Sequence, residues 1–230
     1  MTVNENIPDT ECVFCPSCGE KLPKEAEFCT KCGTRVTMEY GQTVGVCRFC
    51  NKDIMLSDRF CRHCGIDYSV LKADKELTDE AQIEQAHIII EKLIAAYNAN
   101  ENDNWALANL LTLLHFTPMY LAVEMDISAI LGGVDPLTLK PGDTLTSTKD
   151  TGLKILTANA GSEDIVPIFT DAKYANHNVV RLSASAYLPI LRKMGKHIVV
   201  NAFNSERFLI PYEYIPKMID LGNITIETTE

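Results

Sequence analysis

Past Cys64 the chain has no cysteine, and nowhere does it have a long apolar run or an excess of positive charge. A helical membrane span needs about 18 consecutive apolar residues. The most apolar helix-like stretch is broken by Glu91 and Lys92, so no membrane partner is expected. With 21 Lys and Arg against 31 Asp and Glu, the net charge is −10, which excludes a protein whose whole surface neutralises phosphates. The first fifteen residues, MTVNENIPDTECVFC, contain neither a basic segment nor an apolar one, so no secretory leader reads there. The expectation is a cytoplasmic, reducing location. The 230 residues, 46% hydrophobic and 23% charged, suit one or two globular domains at about 150 residues each.

What the chain has is nine cysteines crowded between residues 12 and 64. An odd count without a leader argues against a disulfide framework. The spacing points to metal. Cys15-Pro16-Ser17-Cys18 is followed after ten residues by Cys29-Thr30-Lys31-Cys32, and Cys47-Arg48-Phe49-Cys50 after ten by Cys61-Arg62-His63-Cys64. The unit repeats with a period of 32 residues: Phe28 matches Phe60, Gly33 matches Gly65, and Leu22 matches Ile54.

Two residues between cysteines let a tight turn aim both sulfurs at one ion while backbone N–H groups support the thiolates. Gly19, Gly33 and Gly65 follow three of the pairs and can supply the positive φ such a turn needs; Asn51, in the fourth place, also tolerates it. Four thiolates suit Zn²⁺ far better than Mg²⁺ or Ca²⁺, and a closed shell leaves no place for a catalytic water. A module of about thirty residues cannot bury enough surface to fold alone, whereas structural zinc supplies about 10–16 kcal/mol of apparent binding free energy. The expected ligands are Cys15, Cys18, Cys29 and Cys32 for one structural Zn²⁺, and Cys47, Cys50, Cys61 and Cys64 for a second. The repeat favours this sequential pairing over an interleaved one. A rubredoxin-like iron site shares the same ligand shell. Cys12 can replace Cys15 in a shifted pair, but its counterpart in the second copy is Val44, which makes it a spare thiol. His63, inside a pair, reads as a solvated spacer and not a fifth ligand.

The runs CPSCGEKL…FCTKCG and CRFC…FCRHCG resemble the double zinc-ribbon modules found at the start of many bacterial and archaeal proteins, over residues 12–68. The resemblance implies protein interaction or, less often, nucleic-acid contact, and a prokaryotic source. Asn51 departs from the glycine usual after such a pair. Residues 1–75 carry 10 Lys and Arg against 11 Asp and Glu, and eight thiolates on two dications add −4, which disfavours a generic phosphate grip. Arg48, Arg59 and Arg62 around Phe49 and Phe60 form a small basic and aromatic cluster that can stack bases, or can simply support the zinc.

The expected organisation is a tail at 1–11, ribbons at 12–40 and 41–68, a linker at 69–78, and an α+β domain with a mixed sheet and flanking helices at 79–230. Helices are predicted at 79–98, capped by Thr78 or Asp79 with Gln82 three residues on, and at 105–115, with Leu107, Leu110, Leu111 and Leu114 inward. A strand is predicted at 118–124, and turns at Gly132-Gly133, Asp135-Pro136 and Pro141-Gly142-Asp143. Residues 153–157 and 165–169 read as a hairpin around Asn159-Ala160-Gly161-Ser162. Thr170-Asp171 caps a short helix; a strand follows at 179–182, then a helix at 185–194 ended by Gly195, paired strands at 197–203 and 208–210, and a helix after Pro211. The segments Pro167-Ile168-Phe169-Thr170-Asp171, Val180-Arg181-Leu182, Val199-Val200-Asn201-Ala202-Phe203 and Leu209-Ile210-Pro211 resemble the SseB N-terminal domain, the family named for enhanced serine sensitivity, over residues 80–220. Ala202 replaces the common Pro. The resemblance implies a fold and no established enzymatic activity.

No catalytic set assembles in the sequence. His87 and His115 lie on helices, His177 and His197 stand beside no serine elbow, and Glu163, Asp164 and Asp171 read as turn and cap carboxylates. The expected function is therefore a non-enzymatic zinc-binding protein acting as an interaction or regulatory module with a protein partner. Nucleic-acid or transcription-associated binding through the second ribbon is the alternative, and an uncharacterised enzyme the third reading.

Overall fold

The computed structural model describes residues 12–37, 45–55, 57–124, 154–160 and 163–221. The tail at 1–11, the turns predicted between 132 and 143, and Gly161-Ser162 lie outside the described residues. The chain divides into two compact units, Met1–Lys92 and Leu93–Glu230.

The first unit is built from very short strands. β1 (Cys12–Phe14) pairs antiparallel with β2 (Lys21–Pro23), and β3 (Gly45–Val46) with β4 (Asp53–Ile54). Isolated bridges Phe28↔Arg35 and Phe60↔Asp67 close the far end of each module, in the same 32-residue register as the cysteines. The buried cluster of the first module is Cys15, Leu22, Cys29 and Val36, so half of it is cysteine. So small a core needs another source of stability. A single 3₁₀ turn, Val70–Lys72, precedes helix α1 (Glu80–Ala99), whose residues from Leu93 on belong to the second unit. Asp79 accepts the backbone N–H of Gln82 at 3.0 Å, capping the helix where the sequence indicates.

The second unit holds a seven-stranded mixed sheet and helices, as an α+β domain requires. Its helices α2 (Asn104–Phe116), α3 (Ala184–Met194) and α4 (Tyr214–Leu221) pack on one another. Asp103 caps α2 by accepting from Ala106 N at 3.0 Å, and Gly195 ends α3 with φ 63°. In the sheet, β8 (Glu163–Phe169) runs parallel to β10 (His197–Val200), and β10 pairs antiparallel with β11 (Phe208–Ile210). β5 (Met119–Glu124) pairs antiparallel with β9 (Val179–Leu182) and with the end of β8.

The structure corrects two sequence expectations. The partner of β8 in the hairpin is not 153–157 but β7 (Ala158–Ala160), with Ala160 opposite Glu163. Ala158–Ala160 is the segment closest in sequence to Glu163, so it and not 153–157 meets the start of β8. The preceding β6 (Lys154–Ile155) pairs instead with Val123 and Glu124 of β5. In α2 the buried side chains are Ala106, Leu110, Leu113 and Leu114. Leu107 and Leu111, expected inward, are only half-buried, because the face turns toward Leu113.

The parallel strands end on a buried polar clasp. Asn201, 1% exposed with φ 53°, accepts from Thr170 N at 3.0 Å and donates to Thr170 Oγ1 at 3.1 Å. Asn201→Ala strands the Thr170 N–H and strains a positive φ, and is expected to cost about 1–3 kcal/mol. The single Trp105 lies in this unit, so its fluorescence during urea unfolding should show the midpoint fall; an unchanged midpoint counts against the clasp.

Candidate metal centres

The four cysteine pairs adopt one local geometry. Gly19, Gly33, Asn51 and Gly65 have φ of 73°, 75°, 55° and 70°. Each donates its N–H to the carbonyl of the first cysteine of its pair: Gly19 to Cys15 at 3.0 Å, Gly33 to Cys29 at 2.8 Å, Asn51 to Cys47 at 2.8 Å and Gly65 to Cys61 at 2.9 Å. The first cysteine's own N–H returns to the carbonyl five residues on, at Glu20, Thr34, Lys52 and Ile66. Backbone hydrogen bonds thus fix both sulfurs of a pair on one side of a tight turn.

The turns bring the sulfurs together as the repeat requires. Cys15, Cys18, Cys29 and Cys32 form one cluster and Cys47, Cys50, Cys61 and Cys64 the other, with the ligand atoms within 4.8 Å of one another. Cys15 Sγ lies 3.5 Å from Cys32 Sγ and Cys18 Sγ 3.7 Å from Cys29 Sγ. In the second cluster the Cys47–Cys64 and Cys50–Cys61 separations are 3.8 and 3.7 Å. A disulfide closes at about 2.05 Å. A tetrahedron with Zn–S bonds of about 2.3 Å has edges of about 3.8 Å. The pairing is sequential, and all nine cysteines are free of disulfides. Cys12, opposite Pro23 in β1, is outside the cluster, and His63 is exposed beyond it. The two four-cysteine sites fit two structural zinc ions.

Without a cation, four adjacent thiols cannot all ionise. In the second cluster the hydrogen bond from Cys64 lowers the Cys61 thiol to about 4, and the same bond, with burial, pushes Cys64 up. Burial raises Cys50 to about 11. In the first, the Thr34 hydroxyl, 3.3 Å from Cys32 Sγ, lowers Cys32 to about 6, while burial raises Cys15 and takes Cys18 to about 12. Zinc would make all four thiolates stable together, cross-linking the module through a shell with no open position.

The two modules also hold each other. A Cβ on Gly19 would stand 2.7 Å from Phe60 Cε1, and one on Gly65 would stand 2.9 Å from the Phe14 ring, so each glycine admits an aromatic ring from the other module. Phe14 N donates to Arg62 O at 2.7 Å, and Pro16 O accepts from Arg59 N at 2.9 Å and Phe60 N at 3.0 Å. Arg62, 7% exposed, forks onto Asp58 through two 2.9 Å bonds and also donates to the carbonyl of Val36. Arg59 pairs with Asp67 at 2.9 Å and lies 4.9 Å from the centre of the Phe60 ring. The five-residue cluster read from the sequence is therefore not one open basic surface: Arg62 is inside, Phe60 packs on Gly19, and Arg48 is exposed.

Asp164 pairs with Lys196 at 2.5 Å, Asp171 caps Lys173 N at 2.9 Å, and His197 Nδ1 accepts from Tyr212 N at 3.1 Å. His177 is exposed. No helix among the described residues is long and apolar enough to cross a membrane.

Residues 15–65 match the family described as Double zinc ribbon. No curated protein matches the chain, and no solved structure does.

Two outcomes follow from this geometry. The raised thiols of Cys15, Cys18, Cys50 and Cys64 hold protons that zinc must displace, so raising the pH removes the competitor. Calorimetric zinc titration in two buffers of different ionisation enthalpy should show proton release, with apparent affinity climbing from about pH 5 to 8. Arg62→Ala leaves Asp58 buried and unpaired, and is expected to cost about 3–5 kcal/mol. Arg59→Ala removes a half-exposed partner and should cost about 1 kcal/mol or less. Zinc-loaded thermal unfolding followed by circular dichroism tests the ranking, and equal effects would refute it.

Proposed function

We propose that the chain is a non-enzymatic interaction or regulatory module, in which zinc maintains the ribbons and a protein partner is bound elsewhere. The closed four-sulfur shells carry this reading: with every coordination position taken by a cysteine, the metal has none to offer a substrate. Clustered thiolates also favour a reducing compartment, which supports a cytoplasmic location.

The partner surface we favour lies on the second unit. Phe203, Leu209, Tyr212 and Tyr214 are 50%, 52%, 37% and 42% exposed, an apolar group beside the short edge strand β11. Tyr97, Leu107, Leu111 and Phe208 line a shallow groove next to Leu209 and Tyr214. The half-buried Leu107 and Leu111 thus have a use that helix periodicity alone does not indicate. An edge strand flanked by an apolar groove suits an extended peptide segment of another protein.

We also read the second unit as SseB-like. Supporting this, Pro167–Asp171, Val199–Phe203 and Leu209–Pro211 lie at the ends of the neighbouring strands β8, β10 and β11.

A photo-crosslinking amino acid placed at position 209 in cells should trap a defined partner. Titration of that partner, once purified, should be weakened about tenfold or more by Leu209→Asp. Trp105 fluorescence should be unchanged. No crosslink, or an affinity indifferent to the charge, would remove this surface; turnover on a broad substrate panel would remove the non-enzymatic reading.

A further inference from the structure

The two zinc centres share one backbone geometry, but their surroundings differ at the positions the repeat makes equivalent. Val36 and Tyr68 are such a pair. Val36 N donates to Glu27 O and Tyr68 N to Arg59 O, both at 2.8 Å, one residue beyond the matched bridges at Arg35 and Asp67. Val36 packs in the buried cluster with Cys15, Leu22 and Cys29, so the equivalent place in the second module puts a phenol where the first has a small aliphatic side chain.

The Tyr68 oxygen is buried and has no hydrogen-bond partner. Such a group is costly to leave unsatisfied. By the repeat, Tyr68 stands beside Cys47 and Cys61 as Val36 stands beside Cys15 and Cys29, which puts its hydroxyl on the side of the second quartet. A zinc-bound thiolate keeps lone pairs that accept hydrogen bonds. A donor to it lowers the sulfur's reactivity and helps retain the metal.

Packing separates the centres in the same direction. Cys32 is exposed, whereas its counterpart Cys64 is half-buried. A Cβ on Gly33 would meet nothing within 4 Å among the described residues, while Gly65 is covered by Phe14. Phe28, beside the first module's outer turn, is 56% exposed.

We propose that the two zincs are unequal: Tyr68 donates its hydroxyl to a thiolate of the second centre and retains that metal, while the first centre, open at Cys32 and Gly33, is the exchangeable one. Tyr68 is thus a positioning residue acting on a ligand. The chain then has one zinc that holds the fold and one that follows zinc availability. This rests on zinc occupancy and is independent of the partner surface.

The test uses the full-length zinc-loaded chain, challenged with excess EDTA, quenched at intervals with N-ethylmaleimide and mapped by peptide mass spectrometry. Wild type should lose one zinc in a fast phase, with Cys15, Cys18, Cys29 and Cys32 modified before Cys47, Cys50, Cys61 and Cys64. Tyr68→Phe keeps the ring and the packing but removes the donor. It should speed the slow phase about tenfold and leave the fast phase unchanged. Loss of both zincs in one phase with all eight cysteines modified together would overturn the proposal, as would earlier modification of the second quartet. A slow phase indifferent to Tyr68→Phe would remove the role given to the hydroxyl.

Discussion

Four thiolates brought within bonding distance of one point repel one another unless a cation stands there, and the first unit is organised around that condition. Its backbone has already done the geometric work: each turn is closed by a hydrogen bond to the first cysteine's carbonyl and by a residue with positive φ. What the protein part lacks is apolar mass. With Leu22 and Val36 as the apolar non-sulfur members of the first cluster, the hydrophobic effect contributes only a few kcal/mol. Metal coordination carries what a larger core carries elsewhere.

The second unit stands on the opposite arrangement. Its sheet and helices bury Leu110, Leu113, Leu114, Met119, Phe169 and Tyr187 almost completely, and its polar groups are resolved locally, by caps on Asp103 and Asp171 and by the Asn201–Thr170 clasp. The first unit therefore relies on retained metal and the second on its apolar core.

Much of this was legible in the sequence, for identifiable reasons. Metal-ligand spacing survives in one dimension because each pair is a single turn, and the 32-residue repeat fixed which pairs combine. Helix ends were legible where the capping residue stands beside its own helix, as with the Asp79 carboxylate and the left-handed backbone of Gly195. Features decided by distant groups were not legible. Arg62 looks like part of an exposed basic cluster until Asp58 and the Val36 carbonyl, 26 residues away, draw it inward. Tyr68 carries no motif, and only alignment with Val36 across the repeat marks it. The split between β6 and β7 depends on a neighbouring strand, β5, that local alternation cannot indicate.

The contact between the ribbons joins unlike faces: the first turn of one module, at Cys15–Gly19, meets the second turn of the other, at Cys61–Gly65. A joint between unlike faces has no inherent end, since each added module offers the same free faces again. Here the free counterparts are the Phe28 side of the first ribbon and the Val46 side of the second, both 56% exposed. Repeating the joint would press Phe28 onto Asn51, the residue standing where Gly19 leaves room for a ring. The asparagine's Cβ fills that space. The second ribbon's first turn therefore cannot receive a ring in the way the first ribbon's does, although Asn51, like Gly19, holds a positive φ.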